Sequence, residues 1–143
     1  MQHSRKKHNT GFTLIELMIV VVILGLLATI LMPKILDKPE KARRVKAQAE
    51  IRQIETALVS FMTDTGRLPT TAEGLQALVT NPGVENFSPK GYLESVPVDP
   101  WGRPYIYLSP SVHGSEYDLE TYGKDGEDGG TGDGEDIESW NLN

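Results

Sequence analysis

Hydrophobic and polar positions fall into distinct patterns along the chain. From Phe12 to Met32 the run is 21 residues long and holds one charge, Glu16. As a helix rising ~1.5 Å per residue it would be about 31 Å long, enough for a hydrocarbon core of ~30 Å. From Glu40 to Met62 the pattern becomes periodic: Ala47, Ile51, Ile54, Leu58 and Phe61 recur at intervals of 4, 3, 4 and 3. They form one stripe of an α-helix, mostly flanked by Arg43, Arg44, Lys46, Glu50, Arg52 and Glu55. Two heptads are short for a coiled coil, so the stripe suits packing on the chain's own globular part. The helix should stop near Thr65-Gly66, where glycine suits a C-terminal cap.

Thr71–Val79 reads as a short second helix, capped by Thr70 or Thr71, with Leu75, Leu78 and Val79 as its apolar face. Between Asn81 and Pro104 stand Pro82, Pro89, Pro97, Pro100 and Pro104, which predict an ordered loop without regular structure. Trp101, within Asp99-Pro100-Trp101-Gly102, is expected to pack over the core with its indole N–H at a backbone carbonyl. Tyr105–Leu108 and Tyr117–Tyr122 alternate, separated by a turn at Ser109–Gly114, and predict an antiparallel hairpin. Ile137–Leu142 can add a third short strand. The fold class is α+β, with a long helix laid across a short antiparallel sheet. Gly25, Pro33 and Pro39 weaken that helix and predict a kinked or locally unwound stretch within Gly25–Pro39.

Charge sharpens this picture. The 143 residues carry a net charge of −6 and no cysteine. That excludes disulfides and thiolate chemistry, and argues against nucleic acid as a partner. The balance is uneven: residues 1–11 carry Arg5, Lys6 and Lys7, whereas residues 123–143 alone sum to −6. Positive residues ahead of an apolar run place the N-terminus in the cytoplasm. A secretory signal peptide is the competing reading, but the run is too long and lacks a small-residue cleavage site after Ala28. An anchor fits better. Gly11 marks the polar–apolar boundary, where a cut could precede the anchor and expose a new amine on Phe12. Glu16, a carboxylate one turn inside the apolar helix, either reaches back to the interface or meets such a cation.

The stretch Gly123–Asp136 is rich in glycine and carboxylates. Composition alone describes a solvated acidic loop. Its oxygen donors also suit Ca²⁺, which takes roughly six to eight oxygens. An EF-hand fits poorly: with Asp125 first and Asp136 last, Glu127 and Gly129 occupy ligand positions, and no helices flank the loop.

Gly11-Phe12-Thr13-Leu14-Ile15-Glu16, continuing to Gly25, resembles the class III leader junction of type IV pilins. Leu68–Leu78, Gly91-Tyr92-Leu93, Val96–Tyr105, Tyr122–Gly126 and Asp136–Trp140 resemble segments of the major pseudopilins of the type II secretion system. The resemblance implies a pilin-like fold and removal of leader 1–11 by a prepilin peptidase, with N-methylation of Phe12. Residues 12–32 are then a membrane and filament-core helix, 33–66 its amphipathic continuation, and 67–143 a periplasmic globular region. It further implies Ca²⁺ bound by the loop through aspartates matching Asp125 and one near Asp136, with a carbonyl from Tyr122. Gly134 stands where an aspartate is common in the family, which leaves the second carboxylate open among Asp133, Glu135 and Asp136.

The implied function is structural, not enzymatic. Subunits leave the inner membrane to form a homopolymeric periplasmic filament that drives export of folded proteins. The implied partners are an inner-membrane assembly platform, minor pseudopilins and membrane lipid. Glu16 would pair with the Phe12 amine during assembly. A type IV pilin for adhesion, motility or DNA uptake shares the leader, but the Pro-Trp-Gly and acidic-loop motifs favour the pseudopilin. A hydrolase is disfavoured: His3 and His8 lie in the leader, and His113 alone in a turn forms no triad.

Overall fold

A computed structural model describes the backbone of residues 12–142 and the side chains of residues 12–29 and 39–142. Two compact units meet at Lys38/Pro39 in the sequence.

Helix α1 (Leu14–Thr65) contributes to both units. Thr13 precedes it with a capping box: the Thr13 N–H donates to Glu16 Oε2 at 2.9 Å, and the Glu16 N–H donates to Thr13 Oγ1 at 3.3 Å. The helix ends where predicted. Gly66 adopts φ +77°, and its N–H donates to the Met62 carbonyl at 2.8 Å. The backbone is helical through Pro33 and Pro39, so of the kinked or locally unwound stretch expected in Gly25–Pro39 the unwinding is not found in the single chain. Each proline removes one backbone donor from the helix.

In the first unit the large apolar side chains stand bare. Leu14 is 82% and Ile15 66% exposed, and every large apolar residue from Phe12 to Leu27 is about half exposed or more. Fully burying one such side chain is worth roughly 1.5–3 kcal/mol. This surface therefore calls for lipid or neighbouring chains. Among the described residues, no helix is long and apolar enough to cross a membrane.

The second unit holds the core. Ala47, Ile51, Ile54, Leu58 and Phe61 are all buried, as the stripe predicted, and Ala57 joins them. Leu75, Ala77 and Leu78 come from a 3₁₀-helix, Gly74–Leu78. This corrects the predicted α-helix over Thr71–Val79. Gly74, at φ +58°, breaks the backbone there, and only a five-residue turn remains. A second capping box, Thr70 with Glu73, precedes it, and Arg67 grips Glu73 with two hydrogen bonds of 2.7 Å.

The sheet is short and wholly antiparallel: β1 (Ile106–Leu108), β2 (Asp118–Thr121) and β3 (Ile137–Glu138), in that order. The hairpin follows the prediction, while the third strand stops after two residues and turns into a 3₁₀-helix at Ser139–Asn141. Tyr107 pairs with Leu119, and Thr121 with Ile137, so these four buried side chains share the core face. The opposite face carries Ile106, Glu120 and Glu138 in one row.

The proline-rich segment forms an ordered loop with one bridge, Val98 to Pro104. Asp99 is buried within it. Its Oδ1 accepts the N–H groups of Trp101 and Arg103 at 3.0 and 2.8 Å, and its Oδ2 accepts Thr121 Oγ1 at 2.5 Å. The Trp101 indole donates to the Glu40 carboxylate at 2.8 Å, which corrects the expected backbone carbonyl. Glu40 is itself buried, and a buried carboxylate is a stronger acceptor than a peptide oxygen.

Candidate cation loop and assembly stem

Gly11 lies outside the described residues. Phe12 is 85% exposed at the head of the stem. The Glu16 carboxylate accepts both the N–H and the Oγ1 hydroxyl of Thr13, each at 2.9 Å. Glu16 thus caps the helix. The Thr-x-x-Glu spacing of Thr13 and Glu16 carries that signal in the sequence, and the reading of Glu16 as an interfacial or paired carboxylate missed it.

The acidic loop leaves β2 at Tyr122 and returns into β3 at Ile137. Its base is tightly drawn together: a Cβ on Gly123 would stand 2.9 Å from the Glu135 carbonyl oxygen. The Tyr122 carbonyl accepts the Gly126 N–H at 3.2 Å, which makes the first turn. Asp125 follows, with Oδ1 accepting the Glu127 N–H at 3.2 Å. Its Oδ2 lies directly over Gly134, in the space that any side chain at 134 would fill. The absence of a side chain at Gly134 therefore leaves the room that the Asp125 carboxylate occupies in this chain.

Asp136 stands at the other end. Its Oδ2 accepts the Gly129 N–H at 2.8 Å, while its Oδ1 is buried without a hydrogen-bond partner. An orphaned carboxylate oxygen is costly to keep out of water. Beside it, Glu120, Asp136 and Glu138 can each aim one oxygen so that all three lie within 4.8 Å. Glu120 and Glu138 face each other across β2 and β3, a like-charge pairing that destabilises a sheet by itself. Burial and the neighbouring Asp136 and Glu138 carboxylates push the Glu120 carboxyl up from its ordinary range. Burial, Asp128 and Asp125 do the same to Asp136 against the opposing Gly129 N–H.

This is an all-oxygen donor set with crowded negative charge, the chemistry of a hard divalent cation such as Ca²⁺. Asp125, Asp136 and the Tyr122 carbonyl belong to the same loop. Of the residues read from the sequence only Asp136 is part of the three-carboxylate cluster; Asp125 is exposed outside it, and so is Asp133, in a 3₁₀ turn, Gly132–Gly134. Glu120 and Glu138 escaped sequence reasoning, because alternating charges on a strand read as a solvated face. Only the strand register brings them together.

Arginines complete the surroundings. Arg44 of α1 donates from Nη1 to the Glu135 carbonyl at 2.5 Å, and its Nη2 lies 3.7 Å from the Glu135 carboxylate. Arg103 donates to the Gly123 carbonyl and packs against Gly126. His113 was expected to stand alone in a turn. It is half exposed, yet it stacks on Trp140 at 4.0 Å, with Nδ1 3.1 Å from Asp118.

A long helix with a bare apolar N-terminal stretch, Leu14 to Leu27, joined to a small α+β unit with an acidic C-terminal loop, defines a pilin-like subunit. Residues 34–140 match the family model of type II secretion system protein G, and residues 6–32 match the prokaryotic N-terminal methylation motif. The chain belongs to the type II secretion system protein G family. It is 47% identical to the type II secretion system core protein G of Vibrio cholerae serotype O1, over 99% of this chain and 97% of that protein. It is 42% identical to the protein of the same name from Pseudomonas aeruginosa, over 95% and 98% of the respective chains. Its structure matches the crystal structure of the major pseudopilin from the type 2 secretion system of enterohaemorrhagic Escherichia coli. The TM-score there is 0.63 at 34% identity, covering 75% of this chain and 94% of that one.

Proposed function

We propose that this chain is the major structural subunit of a type II secretion pseudopilus, a short periplasmic filament that drives folded proteins across the outer membrane. The observation that carries this reading is the bare apolar stem, Phe12 to Leu27, which continues in the chain into a small domain with its own buried core. A monomer in water gains nothing from such a surface, whereas lipid before assembly and neighbouring stems after it both cover it. A prepilin peptidase removes residues 1–11 and methylates the Phe12 amine. The subunit waits in the inner membrane with its N-terminus cytoplasmic and its globular part periplasmic. An inner-membrane assembly platform and minor pseudopilins then bring it into the filament. Its role is packing, and no catalytic step is assigned to it.

Once the leader is gone, Glu16 is the carboxylate nearest in sequence to the new Phe12 cation. Trading its Thr13 bonds for that amine, in its own chain or a neighbour's, offsets the cost of an acid among apolar stems. The loop takes Ca²⁺ through Asp125 and Asp136, with the Tyr122 carbonyl and the adjoining Glu120 and Glu138 as further oxygens. The orphaned Asp136 Oδ1 is the support for this. The ion closes a loop that no disulfide staples.

Mass spectrometry of the membrane-extracted protein tests the stem. Loss of residues 1–11 with one added methyl group on Phe12 is expected, and an intact Met1 or a cut after Ala28 would overturn it. Deleting the gene should abolish protein secretion and leave twitching motility intact. The reverse outcome favours a motility pilin.

A further inference from the structure

We infer that Arg44 is a positioning residue that couples the cation loop to the first turns of α1 in the globular unit. Cation binding would then tighten the helix over residues 39–48. The inference rests on the calcium reading above and adds a structural consequence to it.

The argument starts from the loop's base. The Glu135 carbonyl oxygen closes over Gly123 there, and the carbonyls of these two residues are each held by a guanidinium. Arg103 holds Gly123 from the proline-rich loop, and Arg44 holds Glu135 from the helix. These two arginines differ in what they connect. Arg103 follows Asp99, whose carboxylate is already bound to Thr121 at the end of β2, so it ties the loop to its own sheet. Arg44 reaches across 91 positions from a different element. Its side chain is mostly buried, at 20% exposure, which fixes the geometry of the fork.

The bonded carbonyl belongs to Glu135, and the next residue is Asp136, whose Oδ1 has no partner. Arg44, Glu135, Asp136 and Glu138 line one cavity of about 240 Å³ between the helix and β3. Any cation that draws in Asp136 also fixes the peptide preceding it, and with it the oxygen that Arg44 grips. Glu40, one turn before Arg44, is already locked to Trp101. Arg44 therefore extends to the loop side a hold that the helix has on the Trp101 side. Linkage makes the effect reciprocal: a helix segment held in place presents Glu135, and hence Asp136, in the conformation that binds.

Hydrogen exchange on the full mature chain in detergent, with and without excess Ca²⁺, reads both ends at once. In the unaltered chain, Ca²⁺ is expected to protect residues 122–136. It should also slow exchange over residues 39–48, about fivefold or more. Arg44→Gln is expected to keep the loop's protection and lose that of the helix. Arg44→Lys, which keeps the charge and loses the fork, should retain a minor part. It also serves as the informative variant if Arg44→Gln does not fold. Protection of the loop without protection of 39–48 in the unaltered chain overturns the coupling and leaves the calcium reading standing. A full helix response in Arg44→Gln or Arg44→Lys also overturns it. No protection of the loop at all overturns the calcium reading, and the coupling with it.

Discussion

The indole N–H of Trp101 donates to the carboxylate of Glu40 at 2.8 Å, joining the proline-rich loop to the first turn of α1 that belongs to the globular unit. Both ends of the bond are largely shielded from water. Trp101→Phe keeps most of the apolar packing and leaves that carboxylate without its best donor. A loss of about 1–3 kcal/mol is expected, the cost of an unsatisfied buried polar group. Urea unfolding followed by circular dichroism would measure it, and a change below half a kilocalorie would mean that Arg43 or water replaces the indole.

Acid should weaken the fold through Glu73. The two hydrogen bonds from Arg67, helped by the Thr70 N–H, hold its carboxyl down at about 2 against an ordinary 4.5. A carboxyl depressed on folding stabilises above its unfolded value, and that stability is lost as pH falls through the folded value. The Glu73 contribution should therefore be complete at neutral pH and fade between about 4.5 and 2. Glu73→Gln removes it. The stability gap between the two proteins, about 1 kcal/mol at neutral pH for a well-formed surface pair, should close across that window. A gap independent of pH would assign the loss to capping instead.

Asp118 adds to the same acid limb. Burial alone would raise its carboxyl, but the Ser111 hydroxyl, the Val112 N–H and His113 outweigh it and hold it below the usual range. Asp118→Asn should loosen the β1–β2 turn and flatten the acid limb further. Hydrogen exchange of residues 109–117 and the pH dependence of unfolding are the two readouts. Unchanged exchange there would show that the turn holds itself.

Chelation should lower the melting temperature. A ligand selective for the folded state adds about 2.7 kcal/mol at one hundred times its dissociation constant. Asp125→Ala should abolish the response to EDTA. Gly134→Ala should weaken it, because the added methyl group takes the space that the Asp125 carboxylate occupies. A melt indifferent to EDTA in the unaltered protein would remove calcium from the account.

The core offers a control on the same assay. Phe61 is fully buried and meets Phe87 and Tyr92 edge-on, with ring centroids 6.3 and 5.4 Å away. Phe61→Ala should cost about 3–5 kcal/mol, and this loss should not depend on calcium. A calcium-sensitive loss would mean that the loop and the core unfold as one coupled element.

The sequence by itself determined what is local or periodic. The Phe12–Met32 run, the Ala47–Phe61 stripe, the Gly66 stop and the Tyr105–Tyr122 hairpin follow from side-chain spacing and backbone preference. The short chain left few alternatives for packing them. The capping boxes at Thr13 and Thr70 were equally local and were legible in principle. The tertiary structure decided what depends on register and reach. Gly74 cut a predicted α-helix down to a 3₁₀ turn. Strand pairing set Glu120 against Glu138, and the folding of the loop laid Asp125 over Gly134. Trp101 found Glu40 and Arg44 found Glu135, across 61 and 91 positions. Partners so far apart leave no periodic trace, because their pairing depends on how whole elements pack. The acidic composition of the loop was plain in the chain, but which oxygen lacks a partner became visible only once the backbone had closed around it.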